Sequence, residues 1–339
     1  MGEHITALIV IGRNEGERLE RCLRSVGSDR TTIYVDSGST DGSVALATRL
    51  GVTVVELDPA LPFTAARARN AGLARLAEDN IAVDYVQMID GDCELQPGWI
   101  DRAVAAMEAD HALAAVFGRR RERFPDASIY NWLCDVEWAV PPGPAGAFGG
   151  DALFRHRAIA AAGGYRAEMI AGEDPDLSVR LRRAGWEIAC IDAEMTLHDA
   201  AITGFGQWWR RTARAGHAFA ELAARHGKLP EGRPYRAAQR RIAAWGILPV
   251  LGLLLAILVA SINDAELGRK IALAVLLLLA AQTVRLTLRE GLRFPMPRAF
   301  AFDSFLTIGK FAEATGLIRY RWEQASGRRA TLIEYKSAS

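Results

Sequence analysis

The sequence predicts an α/β domain with a mostly parallel sheet, followed by helices that enter or lie on a membrane. Three observations carry this. Strand-like and helix-like segments alternate through the first two hundred or so residues, which indicates parallel strands covered on both faces. After Ile242 comes "AAWGILPVLGLLLAILVASI", about twenty residues without a charge, enough for a helix to span a bilayer. Polar and acidic residues gather just after the strand-like runs, the place where ligands bind in such sheets.

In chain order, "ALIVI" precedes a helical "EGERLERCLRSV", and "TTIYVD" precedes "GSVALATRL". "VTVVEL" then precedes "FTAARARNAGLARLA", and "YVQMID" precedes "PGWIDRAVAAMEA". A short polar break, "NDAELGRK", separates the first apolar run from a second, "IALAVLLLLAAQTVRLTL". That run spans only if Arg285 reaches back to the interface. The tail "FAFDSFLTIGKFAEATGLIRYRW" mixes Phe300, Phe302, Phe305, Ile308, Phe311 and Leu317 with charges. It reads as an amphipathic interfacial helix, packing on the soluble domain being the alternative. The expected organisation is a nucleotide-fold-like domain over 1–228, a basic linker over 229–241, two transmembrane helices within 242–290, and an interfacial helix and tail over 291–339.

The 339 residues carry Lys+Arg 41 against Asp+Glu 40, a net charge of +1, so nothing argues globally for nucleic-acid binding. The 4 cysteines show no C-x-x-C spacing, which disfavours a zinc site or disulfide framework and suits a reducing compartment. The first residues lack the features of a signal peptide. Arg233, Arg236, Arg240 and Arg241 precede the first span, and Arg285, Arg289, Arg293 and Arg298 end or follow the second. The loop between has only Arg269 and Lys270. Positive-inside bias therefore places the first domain and the tail on the cytoplasmic side of the cell (inner) membrane.

Among the acids, Asp41 beside Gly42 reads as an ordinary helix cap. Asp36 closes a strand and has no obvious helix to cap. Asp90 and Asp92, at positions i and i+2 of an extended segment, point the same way. A polar turn would explain an isolated D-G-D. Converging carboxylates instead favour a cation, and oxygen ligands suit a hard one, Mg2+ or Mn2+.

"IGRNEGERLERCLRSV", "VDSGSTDGS", "ARNAGL", "MIDGDCEL", "FGGDALFRHRAIAAAGGY" and "GEDPDLSVRLRRAGW" occur in that order between Ala7 and Ile191. Together they resemble family 2 glycosyltransferases of the GT-A fold, a Rossmann-like nucleotide-diphospho-sugar transferase architecture. The resemblance implies an inverting enzyme with a nucleotide-sugar donor. By match, Asn14, Glu15 and Asp36 hold the nucleoside, Arg69 lies on the donor side, and Asp90 and Asp92 form the D-x-D pair. Asp92 is the direct metal ligand, with Asp90 toward the donor. Glu173 and Asp174 open a helix, where acids also favour the positive end; the resemblance makes Asp174 the general base, supported by Glu173. His198 is either structural or, as in relatives, part of the metal site. Phe148, Gly149 and Gly150 match a small-residue acceptor loop or form an ordinary turn.

On the acceptor side, Gln207, Trp208 and Arg210 keep the Q-x-x-R spacing of processive synthases without the final tryptophan. That departure and the small number of spans weigh against a processive enzyme. A membrane-surface helix explains the same residues. The expected partners are a nucleotide sugar, a lipid-linked or glycan acceptor in exopolysaccharide or surface-glycan assembly, and membrane lipids. Two rivals remain: a nucleotidyltransferase, whose glycine-rich loop "IGRNEGER" does not match, and a non-catalytic membrane subunit that keeps the fold.

Overall fold

The computed structural model describes residues 4–262, 264–291 and 293–327. The last part of the expected tail, 328–339, lies outside them. Two compact units divide at Gln207 and Trp208.

The first unit opens with β1 (Thr6–Gly12), α1 (Glu17–Ser25), β2 (Thr32–Asp36), α2 (Ser43–Arg49), β3 (Thr53–Glu56), α3 (Ala65–Glu78) and β4 (Tyr85–Asp90). It continues through β5 (Cys93–Leu95), α4 (Trp99–Ala109), β6 (Leu113–Glu122), α5 (Ile129–Trp138) and the two-residue β7 (Gly143–Pro144). β8 (Ala152–Arg155), α6 (His156–Ala161), α7 (Glu173–Arg183) and β9 (Glu187–His198) complete it. One 9-stranded sheet has the order β3-β2-β1-β4-β8-β6-β9-β5, with β7 on β9.

The sheet is parallel over β3-β2-β1-β4 and mixed beyond, because β8 runs antiparallel to both β4 and β6. β1 is central and covered on both faces, which is why its sequence is an unbroken apolar run. α3 starts at Thr64, whose hydroxyl accepts the Arg67 N–H at 3.0 Å. It approaches the sheet closely through Gly72, where a Cβ would collide with Ile9.

Register decides what meets at the strand ends. Gly12 lies beside Asp36, and Ile11 beside Asp90. Met88 of β4 pairs Ala152, which brings Asp151 against Asp90. His198, the last residue of β9, faces Cys93 of β5 and Glu122 of β6.

The second unit is helical. It holds most of α8 (Phe205–His226), then α9 (Arg233–Ile242), α10 (Leu248–Ile262), α11 (Ala265–Glu290) and α12 (Met296–Ser326). A π turn, Ala243–Ile247, joins α9 to α10, with Leu248 N–H bonded to the Ala243 carbonyl. Pro249 has no N–H to give four residues back, and the π turn absorbs that loss.

Pro230–Ile262 and Ala265–Glu290 are each long and apolar enough to cross a membrane. They expose Leu251, Leu254, Leu255, Leu276, Leu277 and Leu278. α12 buries small and polar residues, Ala299, Thr307, Ala312 and Gly316, and turns Phe300, Ile308, Ile318 and Trp322 outward. Small residues inside with bulky apolar ones outside is the pattern of helices packed in lipid. Close approach requires it: a Cβ on Gly216 of α8 would collide with the Glu313 carbonyl, and one on Gly316 with the Ala213 carbonyl.

Candidate active site

The loop after β1 and the loop after β2 are latched together. Asn14, in a left-handed conformation (φ 54°), accepts the Thr40 N–H at 2.7 Å and donates its own N–H to the Ser39 hydroxyl at 2.9 Å. Asp36 is buried, with one oxygen accepting the Tyr34 hydroxyl and the other the Gly38 and Ser39 N–H groups, all within 2.9 Å. Asp41 accepts the Gly16 N–H at 2.9 Å and so ties the two loops; the N-cap of α2 is Gly42 rather than Asp41, which sits one residue earlier and accepts the Ser43 N–H at 3.1 Å. Glu15 pairs with Arg18 at 3.1 Å.

The centre of the site is Arg69, 2% exposed on α3. One of its terminal nitrogens donates to Glu173 at 3.0 Å and Asp174 at 3.1 Å; the other donates to Asp90 at 2.9 Å. The aromatic ring of Tyr165 lies 5.3 Å beneath it. A single guanidinium thus joins the end of β4 to the start of α7, two segments that are far apart in sequence. The planar fork of arginine suits this role better than a point charge.

Asp90 also accepts from Arg120 at 3.1 Å, and Asp151 accepts the Asp90 N–H at 2.9 Å. Burial alone would raise the Asp90 carboxyl, but Arg69 and Arg120 outweigh it and hold the group below the usual carboxylate range. Asp174 differs. Burial pushes it up to about 7, although Arg69 and the Gly150 N–H, donating at 2.8 Å, both pull it down. Gly150 has φ +64°, and a Cβ there would lie 2.6 Å from Arg120 and 3.0 Å from Asp90. Only glycine serves this position.

On the other side of the D-G-D turn, Asp92 is 4% exposed and lies 3.1 Å from the Nε2 of His198. Burial would lower the His198 imidazole; Asp92 reverses this and raises it. Glu122 faces the other ring nitrogen at 3.8 Å, and the edge of Trp138 packs on the ring at 4.5 Å between centroids. Ligand atoms of Asp92, Cys93 and His198 fall within 4.8 Å of one another. A carboxylate and an imidazole converging on one point fit a divalent ion such as Mn2+.

Not every expected residue reaches this centre. Phe148 is buried in the core, edge-on to Phe154 at 4.8 Å, and its N–H meets Ser178. Gly149 is exposed. Gln207 spends its side-chain oxygen on the Thr203 and Gly204 N–H groups at the start of α8, at 3.0 and 3.1 Å. It also lines the rim of a cleft of about 620 Å³ with Glu15, Arg18, Arg21, Phe124 and Asp199. In the helical unit, Trp208 packs against Phe305 at 5.0 Å and Arg210 is exposed.

Sequence reasoning passed over Arg120 and Asp151. Asp151 is fully buried and ties Thr196 (2.8 Å), Arg120 (3.2 Å) and the Asp90 backbone. Its signal was the aspartate that completes "FGGD"; Arg120 had none beyond the run "GRRRE".

The fold is shared with the mannosyltransferase PcManGT from Pyrobaculum calidifontis, solved in complex with GDP-Man and Mn2+. That likeness has 18% identity and a TM-score of 0.59, and covers 96% of this chain and 89% of that one. S. aureus TarS 1-349 is also similar, at 13% identity and TM-score 0.51, covering 90% and 92% of the two chains. At such identities the likeness speaks for fold alone. The family model "Glycosyl transferase family 2" matches residues 7–163, which include the latched loops, Arg69, the D-G-D turn and Asp151. Residues 7–163 of this chain are thus similar to glycosyltransferase family 2, and its sheet has the GT-A form.

Proposed function

We propose that the protein is an inverting glycosyltransferase that moves a sugar from a nucleotide-diphosphate donor to a lipid-linked or glycan acceptor. The observation that carries this reading is the Arg69 bridge, which puts a donor-side carboxylate, Asp90, and an acidic pair, Glu173 and Asp174, on one side chain. Further support comes from the relative's complex with GDP-Man and Mn2+.

In this reading Asp174 takes the proton from the acceptor hydroxyl. The freed oxygen bonds to the anomeric carbon as the bond from that carbon to the diphosphate breaks, so the configuration inverts in one displacement. A carboxylate raised to about 7 is a stronger base than an ordinary aspartate, and Arg69 and the Gly150 N–H fix its direction. Asp92 and His198 hold the divalent ion, Mg2+ or Mn2+, which when bound supplies Lewis-acid charge to the departing diphosphate. Asn14, Glu15 and Asp36 shape the nucleoside end of the site. The apolar hairpin keeps the site at the cytoplasmic face of a membrane, where a surface-glycan or exopolysaccharide acceptor grows.

The test is a thermal-shift screen of nucleotide sugars with Mn2+ on the detergent-purified chain. A donor at a hundred times its Kd stabilises by about 2.7 kcal/mol. The expected result is a shift with one or a few donors that is reduced in Asp92→Asn. No shift with any nucleotide sugar contradicts the proposal.

A further inference from the structure

The two ends of the apolar hairpin carry different charge. α10 and α11 are antiparallel: a Cβ on Gly268 would meet Ala260 at 2.6 Å, and one on Gly252 would meet Val275 at 2.9 Å. The Asp264–Lys270 turn is therefore at one end, and the α9–α10 junction and the last turn of α11 are at the other. Charges at the turn cancel, Asp264 and Glu266 against Arg269 and Lys270, with Lys270 paired to Glu266 at 2.7 Å.

The other end is strongly basic. α9 carries Arg233, Arg236, Arg240 and Arg241 and no acidic residue. Arg289 stands in the last turn of α11. All five are exposed, and among the described residues none has an ion pair. Arg285 donates to the neutral Gln282, and Arg293 lies over the ring of Phe294. Glu231, Glu290 and Asp303 are the carboxylates of the adjoining segments, too few to balance the arginines.

α9 is also continuous with the apolar run, within one helix from Pro230 to Ile262. At a rise of 1.5 Å per residue, Arg241 stands about 10 Å from Leu248, where α10 begins. Unpaired guanidiniums so close to an apolar helix match a layer of phosphate bordering hydrocarbon. Arginine binds phosphate through two parallel N–H donors.

We propose that this arginine-rich end binds the phosphate headgroups of anionic phospholipids in the bilayer that the hairpin enters. The inference rests on the membrane reading given above. It adds a lipid preference, which a spanning hairpin does not by itself require.

The test uses the full chain reconstituted in nanodiscs of equal phosphatidylglycerol and phosphatidylcholine, then released into neutral detergent for native mass spectrometry of the retained lipids. Wild type is expected to retain phosphatidylglycerol over phosphatidylcholine, and 10 mM inorganic phosphate not to displace it. Each surface arginine near the bilayer contributes about fivefold, so Arg240→Gln with Arg241→Gln lowers the preference about 25-fold or abolishes it. Arg269→Gln with Lys270→Gln, at the neutral end, keeps it. Equal retention of both lipids by wild type, or the same loss in both double variants, overturns the proposal. Reconstitution into pure phosphatidylcholine nanodiscs separates the two readings. If wild type inserts there but shows no preference in the mixture, only the arginine assignment fails; if it does not insert, the membrane reading fails.

Discussion

Arg69 carries four of its five N–H donors on its two terminal nitrogens, and these make three hydrogen bonds, to three carboxylates from two distant segments. Replacing it with lysine keeps the charge but removes the fork, and one ammonium cannot serve Asp90, Glu173 and Asp174 together. Asp174 sits near 7 because burial outweighs Arg69, so weakening the Arg69 contact moves it further up. A base works only when deprotonated. The plot of kcat/KM against pH should therefore rise through a limb near 7 in wild type, with activity lost as pH falls below it. In Arg69→Lys the limb should shift to higher pH; an unchanged limb would separate Asp174 from the titration. The D-x-D and acidic pair were legible because short motifs preserve their spacing. Arg120 and Asp151 were not, because they reach Asp90 only through β8, whose antiparallel place between β4 and β6 no local pattern announces.

At the scale of elements, two glycines join structure to function by close approach. Gly150→Ala puts a side chain at φ +64° against Arg120 and should cost about 1–3 kcal/mol, measured by urea unfolding, together with activity. Gly316→Val places bulk where α12 meets the Ala213 carbonyl of α8, and should lower the melting temperature of the helical unit. Donor binding by the first unit should persist in that variant, as isothermal titration would show. The alternation of strands and helices was readable because periods of 2 and 3.6 differ within a few residues. α12 was harder. Its mix of phenylalanines and charges suggested an amphipathic helix at the interface or one packed on the soluble domain; in the structure Ala299, Thr307 and Gly316 are buried while Phe300 and Trp322 face out. A helix that packs on small residues inverts the usual apolar pattern, and sequence does not show which environment its outer face meets.

For the molecule as a whole, the hairpin and the sheet make separate demands that can be tested separately. All four cysteines are buried, so a cysteine placed at Glu266 becomes the reactive one. Glu266→Cys in intact cells should label with an impermeant maleimide from outside, and Arg236→Cys only after the membrane is opened; the reverse pattern would invert the orientation. The central claim concerns the chemistry at the strand ends of the sheet. Its most direct test is steady-state sugar transfer or donor hydrolysis with Mn2+ by the detergent-purified chain, comparing wild type with Asp174→Asn while donor binding is followed in parallel. The account predicts that kcat/KM falls by about 10²–10⁴-fold, the usual contribution of a general base, with the donor-induced thermal shift retained. Equal turnover in wild type and Asp174→Asn would contradict it.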